Sequence, residues 1–211
     1  MKDVRARVSL PRNSDILETE TGAPNPILLP LRKFGGIIWP YTPTINISHQ
    51  AEYGEYETAH TNYPVSYFTK SRPPNLQVSG PLTANSAAEG HYMIAVLHFL
   101  RIVTKMHFGM NDKKRGTPPP VLKFSAYGDL MFSNVPVLIR SFAYDLGQDI
   151  DYIDVETDSA SAGFSDGFNS KVPTMLNLVV DMVIQQTPSK LRTKFTMNDF
   201  KSGKLVKDGF I

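Results

Sequence analysis

The stretch "SAAEGHYMIAVLHFLRIVTKMHFG", residues 86–109, is the longest apolar-rich run of the chain, and any fold must cover it. Ser86, followed three residues later by Glu89, predicts a capping box, in which the hydroxyl and the carboxylate each bind a backbone N–H at the start of a helix. Gly109 suits the position just after a helix. We therefore expect a helix over residues 87–108.

This helix is nearly long enough to cross a bilayer, but its polar residues exclude a membrane span. Arg101 and Lys105 would lie within the lipid at a cost of several kcal/mol. On a helical wheel they join His91 and His98 in one narrow polar stripe, and apolar side chains fill roughly two thirds of the circumference. One packed sheet cannot cover so wide an arc. The helix is therefore either the centre of a helical protein or is covered on a second side by another subunit.

The rest of the sequence has β periodicity, which excludes a helical protein. "PTMLNLVVDMVIQQT", residues 173–187, alternates between an apolar and a mixed face and predicts a long strand. "NVPVLIRSFAYDL", residues 134–146, predicts a second strand, and "PPVLKFSAYGDLMFSN", residues 119–134, predicts a hairpin turning at Gly128 and Asp129. Shorter strands precede the helix. We expect a mainly β, α+β fold in which one long helix flanks a two-sheet sandwich or barrel.

The composition is that of a water-soluble domain. The chain has 211 residues, of which 41% are hydrophobic and 20% charged. Residues 1–35 contain four prolines and no clear period, and predict an extended N-terminal arm. Residues 36–211 are expected to form a single domain. Within it, residues 146–172 are expected to be a flexible loop, because their central part, residues 155–170, is rich in Ser, Gly and Asp.

Charge and cysteine usage exclude several classes of function. A net charge of +2 is too balanced to predict a nucleic-acid or membrane partner from the field alone. The absence of cysteine excludes disulfides and thiolate metal sites.

No sequence pattern predicts an active site. The chain lacks a nucleophile elbow and a phosphate-binding glycine loop. His91 and His98 are two helical turns apart, too far to bind one metal together. The acidic run "DIDYIDVETD", residues 149–158, lacks the glycine and the spaced bidentate glutamate of a calcium loop. We expect no catalytic residue, no cofactor and no metal.

The order of elements resembles a known family. The capped helix ends in "MHFG", residues 106–109, followed by "PPPVLKFSAYGDLMFSNVPVLIRSFAYDLGQDIDYI", residues 118–153, and "PTMLNLVVDMVIQQTPSKLRTKF", residues 173–195. Over residues 36–204 this order is similar to the tail tube initiator and tail tube cap proteins in the baseplates of contractile-tailed bacteriophages. The resemblance implies a tail-tube-like two-sheet β fold flanked by a helix. It also implies six subunits in a ring around a DNA-sized channel.

The resemblance also implies a structural role without enzymatic activity. The chain would sit on the central hub of the baseplate and nucleate or cap polymerisation of the tail tube. Its partners would be copies of itself, the hub protein, the tail tube protein and neighbouring baseplate proteins. DNA would be bound only in transit, and no membrane partner is expected. The protein would be assembled in the host cytoplasm and reside in the virion.

Candidate residues follow from this arrangement. The neighbouring subunit would be the second cover of the helix, through the apolar residues Met93, Leu97, Leu100, Ile102, Met106 and Phe108. A channel that passes DNA should not grip phosphates, so its wall should be neutral to acidic. The acidic residues expected on that wall are Asp149, Asp151, Asp154 and Glu156.

Three alternatives remain open at the level of sequence. The chain could be the major tail tube protein, or another component of the baseplate wedge. It could instead be a β-sandwich that binds a ligand or carbohydrate, for which the candidate aromatic platform is Trp39, Tyr41, Tyr53 and Tyr56.

Overall fold

The computed structural model describes residues 3–11, 14–19, 22–57, 59–157 and 168–211. The strands are β1 (Arg7–Ser9), β2 (Gly36–Ile38), β3 (Thr44–Tyr56), β4 (Val65–Thr83), β5 (Leu122–Ala126), β6 (Phe132–Asp145), β7 (Tyr152–Thr157), β8 (Phe168–Pro173) and β9 (Met175–Ile184). The α-helices are α1 (Leu29–Arg32), α2 (Ala87–Val103), α3 (Pro188–Lys194) and α4 (Met197–Lys201), and a 3₁₀ helix covers Lys204–Asp208.

Seven strands form one antiparallel sheet in the order β2-β1-β5-β6-β9-β4-β3, and β7 pairs with β8 in a separate hairpin. The expected mainly β, α+β class is confirmed. The expected alternation of the last strand is also confirmed, because Leu176, Leu178, Val180, Met182 and Ile184 are all buried on one face of β9. The main sheet is open, with β2 at one edge and the much longer β3 at the other.

Helix α2 begins as predicted and ends earlier. Ser86 Oγ accepts a hydrogen bond from the backbone N–H of Glu89 (3.4 Å), and the Glu89 carboxylate accepts one from the backbone N–H of Asn85 (2.7 Å). The last helical residue is Val103, so the predicted end at residue 108 is wrong. The chain turns away because the backbone of His107 pairs with Gly116 and Thr117 instead of continuing the helix.

The wide apolar arc of α2 is covered on more than one side by its own chain. Val96 and Phe99 are fully buried in the core that α2 shares with the main sheet. The β7–β8 hairpin packs on a second side, where a Cβ added to Gly90 would lie 2.5 Å from Cγ2 of Val155. The expectation that another subunit must supply the second cover is therefore not required by this fold.

The described residues among the N-terminal 35 belong to the same domain, which corrects the expected extended arm. Strand β1 lies inside the main sheet, between β2 and β5, and Leu28 and Leu31 are fully buried. Ile16 is partly buried against the core. A three-residue strand is too short to show a period, so its pairing could not be predicted from the local pattern.

The predicted loop at residues 146–172 is corrected in part: the described residues 146–151 connect β6 to β7 without regular secondary structure, but the rest of its described part does not. The described residues 152–157 and 168–172 lie in strands β7 and β8, which are paired from Tyr152 opposite Pro173 to Thr157 opposite Phe168. Residues 158–167, the centre of the expected flexible segment, lie outside the described residues.

Strand β6 changes face midway along its length. Val135, Val137 and Ile139 point into the core, and an irregularity in pairing with β9 falls between Ile139 and Ser141. After it, Phe142 and Tyr144 pack against the core instead of Ser141. The side chains of β6 therefore do not alternate without a break, because a bulge inserts one unpaired residue and moves the following side chains to the other face.

Candidate assembly surfaces

The predicted subunit-interface residues fall into three groups. Met93 and Leu100 are 1% and 0% exposed in the chain's own core, so they present no side chain to a neighbour. Leu97 and Ile102 are partly buried against the same core. Met106 and Phe108 are 49% and 79% exposed, but they follow the helix and do not extend one continuous face of it. The structure therefore does not bring the six residues together.

The polar stripe of α2 is partly enclosed. Arg101 donates a hydrogen bond to the Tyr144 hydroxyl of β6 at 3.0 Å, which ties this stripe to the main sheet. Burial lowers the pKa of His98, and the nearby charge of Arg101 lowers it further. His98 is therefore neutral at neutral pH.

The predicted channel acids lie around the β7–β8 hairpin. Asp149 and Asp151 are exposed in the connection between β6 and β7. Asp154 is exposed on β7 and pairs with Lys171 of β8 at 3.5 Å. The backbone of Glu156 lies in β7 opposite Asn169, and its side chain is outside the described part of the structure.

The face of the main sheet turned away from α2, which we term the uncovered face, has a polar centre. The carboxylate of Asp181 on β9 lies at its centre and accepts hydrogen bonds from the Gln77 side chain of β4 (2.9 Å) and the Ser141 hydroxyl of β6 (3.0 Å). Around this network lie the polar side chains of Asn46, Ser48, Asn75 and Arg140, which help to line a shallow depression of about 180 Å³. The alternation of β9 predicted this mixed face, but its three-strand network could not be predicted from one strand.

The candidate aromatic platform is not assembled. Trp39 is fully buried, and the Tyr41 hydroxyl bonds Thr83 Oγ1 at 3.3 Å at the end of β4. Tyr53 and Tyr56 lie on β3 in a part of that strand that projects beyond the sheet. These positions do not support a carbohydrate site built from all four residues.

That projecting part is an apolar surface that the sequence did not predict. Strand β4 pairs with β9 only from Asn75 onward, so residues 50–56 of β3 and 65–72 of β4 pair with each other alone. We call residues 48–72 the ribbon; the connection between its strands includes residue 58, which lies outside the described residues. The ribbon exposes six large apolar side chains by more than half, namely Tyr53, Tyr56, Tyr63, Val65, Tyr67 and Phe68. A two-stranded hairpin is marginally stable alone in water, so this surface favours contact with another chain.

A second surface is formed by the C-terminal segment, residues 188–208. It carries six Lys or Arg residues against two Asp, and exposes the apolar side chains of Leu191, Phe195, Met197 and Phe200. Burial lowers the pKa of Lys190, whose ammonium lies 5.2 Å from the centre of the Phe210 ring and donates to the carbonyl of Asp208. The C-terminal segment is therefore a folded part of the domain, anchored by Leu205 and Phe210, each 5% exposed.

Metal and membrane chemistry find no site in the described part of the chain. No group of three or more His, Asp or Glu residues there could hold a metal ion, including His91 with His98 and the described acids of residues 149–157. Nor do the described helices include one long and apolar enough to cross a membrane.

No protein-family model matches the chain, and no curated protein matches its sequence.

Proposed function

We propose that this chain is a structural subunit of a contractile bacteriophage tail, without enzymatic activity. It forms a ring in the inner baseplate, hexameric by its resemblance to tail tube initiator and cap proteins, sits on the central hub and nucleates or caps the tail tube. The observation that carries the proposal is the exposed apolar ribbon at residues 48–72 beside an open edge strand.

The edge of the main sheet at β3 carries unpaired backbone groups. Strand β3, from Thr44 to Tyr56, is an edge strand and pairs only with β4. A long edge strand presents unpaired N–H and C=O groups that template pairing with another chain. Together with the aromatic side chains of the ribbon, this edge is suited to a neighbouring subunit. An isolated protein with this surface would be prone to uncontrolled association.

The proposed channel wall is the uncovered face of the main sheet, and not the acidic residues of the β7–β8 hairpin. The uncovered face is polar and carries few charges around Asp181, which suits a wall that does not grip DNA phosphates. The hairpin with Asp154 packs on α2, on the other side of the sheet. Only one of these two surfaces can face the channel of a ring.

Electron microscopy of the purified protein, alone and mixed with tail tube and hub proteins, tests the proposal. The expected result is sixfold rings that seed tubes. The double substitution Tyr53→Ser with Phe68→Ser should abolish rings, because it removes two exposed aromatic side chains from the surface proposed to contact the neighbouring subunit. In the ribbon these two rings contact each other edge to face. Leu130→Ser, which alters an exposed apolar residue in the β5–β6 turn, is the matched control and should assemble normally. Monodisperse monomers that never form rings with either partner would contradict the proposal.

A further inference from the structure

Two segments of opposite charge lie at opposite ends of the central strands. At one end, residues 145–151 carry Asp145, Asp149 and Asp151 without any Lys or Arg. At the other end lies the C-terminal segment, residues 188–208, with its excess of basic residues. We call these the acidic end and the basic end.

The strand register places these two surfaces far apart. Asp145 of β6 pairs with Asn177 near the start of β9, whereas Val137 pairs with Ile184 at the end of β9. The C-terminal segment packs at that second level, because Gly209 lies against the backbone of Asn134. With about 3.4 Å per strand residue, the two ends are roughly 30 Å apart.

The charges at both ends are available for contact with another molecule. Asp145, Asp149 and Asp151 are exposed and have no ion pair among the described residues. At the basic end, Arg192 and Lys201 are likewise exposed and without an ion pair in the described part of the chain. The three acids are therefore not neutralised among the described residues, whereas the basic end is neutralised in part, because Lys194 pairs with Asp208 and Lys204 with Asp199.

Both ends also expose apolar side chains beside their charges. Leu146 and Tyr152 are 52% and 57% exposed at the acidic end. At the basic end, Leu191 and Phe195 are 46% and 42% exposed. Opposite charge selects the partner and its orientation, and burial of apolar surface supplies affinity.

We infer that the basic end of one copy docks on the acidic end of a second copy, in a head-to-tail contact. Because the two surfaces differ, the contact is heterologous and leaves one acidic and one basic end free after each addition. The inference names a partner surface for the subunit proposed above, but its charge test does not depend on the phage assignment.

A reciprocal charge exchange tests this contact. Asp149→Lys with Asp151→Lys gives a subunit with two basic ends. Arg192→Glu with Lys201→Glu and Lys207→Glu, all at exposed positions, gives one with two acidic ends, because its C-terminal segment then carries three Lys or Arg residues against five acids. Arg32→Glu with Lys33→Glu, on exposed residues of α1 and its cap, is the matched control for charge reversal. Sedimentation velocity of each protein, and of a 1:1 mixture of the two end variants, measures association at low and at physiological salt.

The wild type should self-associate, and its association should weaken with added salt because exposed charges are screened within about 8 Å at physiological ionic strength. Each end variant alone should associate at least about tenfold more weakly, since like charges then meet. The mixture should recover association, because each contact again joins opposite charges. The α1 control should behave as the wild type.

Four results would overturn the inference: a monomeric wild type, end variants that associate as the wild type does, a mixture that stays monomeric, or an α1 control that is equally impaired. Duplex DNA or phosphatidylserine vesicles that bind the basic end in preference to a second copy would also overturn it. Rings that form with hub protein and ignore the charge exchange would refute this contact but keep the proposed function. Charge-dependent chains that never form rings would support this contact and refute the proposed function.

Discussion

Gly90→Ala should destabilise the domain even though alanine is the better helix former. In the interior of a helix, replacing glycine by alanine favours the helix by about 1 kcal/mol. Here the added Cβ would lie 2.5 Å from Cγ2 of Val155 and 3.4 Å from Cδ1 of Ile153. Overpacking of this kind costs about 1–3 kcal/mol. We expect the free energy of unfolding to fall by about 1 kcal/mol, because an overpacking cost of about 2 kcal/mol exceeds the gain in helix propensity of about 1 kcal/mol.

The sign of the effect should reverse once the contact is removed. Val155→Ala alone should cost roughly 2 kcal/mol, because it removes two methyl groups from a fully buried side chain. In that background Gly90→Ala should stabilise by about 1 kcal/mol, so the two substitutions should be coupled by about 2 kcal/mol. Ala88→Gly, at an exposed position of the same helix, should have the same effect in both backgrounds.

Urea unfolding followed by the fluorescence of Trp39 measures these free energies, since this single tryptophan is fully buried. A shift of 1 kcal/mol corresponds to about 2–4 °C in the melting temperature of a domain this size. If Gly90→Ala stabilises the wild type, or if its effect is unchanged by Val155→Ala, the hairpin does not cover α2 as the structure describes.

Phe99→Asp should abolish folding, because that side chain is fully buried, whereas Leu97→Asp, at a partly buried position, should lower stability but leave a folded monomer. Circular dichroism at low protein concentration distinguishes the two variants, and equal unfolding of both would contradict the difference in burial. Tyr92→Phe should cost about 1–3 kcal/mol, because the Tyr92 hydroxyl accepts from the N–H of Ile38 (2.8 Å) and donates to its carbonyl (2.7 Å). Burial raises the pKa of Tyr92 above 10.0, so the contribution of the protonated hydroxyl to stability is complete below pH 10 and is lost as the pH rises through the folded-state pKa. Urea unfolding across this range should show that the free energy of unfolding falls less steeply with pH in Tyr92→Phe than in the wild type. Parallel curves for the two proteins would refute this pKa shift. Binding to duplex DNA should be weak at moderate salt, and replacing the basic residues 113–115 by Gln should change it little. Tight binding with a steep salt dependence, lost in that variant, would contradict a channel wall that does not bind DNA phosphates tightly.

Local patterns were informative wherever a residue's role depends on its neighbours in sequence. The capping box of Ser86 and Glu89 and the alternation of β9 are local, and both were confirmed. The end of α2 depended on pairing between His107 and residues ten positions away, so the local glycine signal misplaced it. Of the candidate interface residues, Leu97 and Ile102 are partly exposed, but Met93 and Leu100 are buried. A helical wheel could not distinguish them, because it gives the width of an apolar arc and not the segments that cover it.

By itself the sequence determined the class of fold, the long capped helix and the apolar faces of the main strands, because side-chain periodicity and hydrogen-bonded caps are short-range properties. Tertiary structure decided what covers the helix, where β1 joins the sheet and which part of β3 and β4 projects as a ribbon. It also decided that acidic and basic residues lie at opposite ends of the strands. Each of these depends on pairing between distant segments, and the free energy of such contacts is set by register and packing that no local pattern contains.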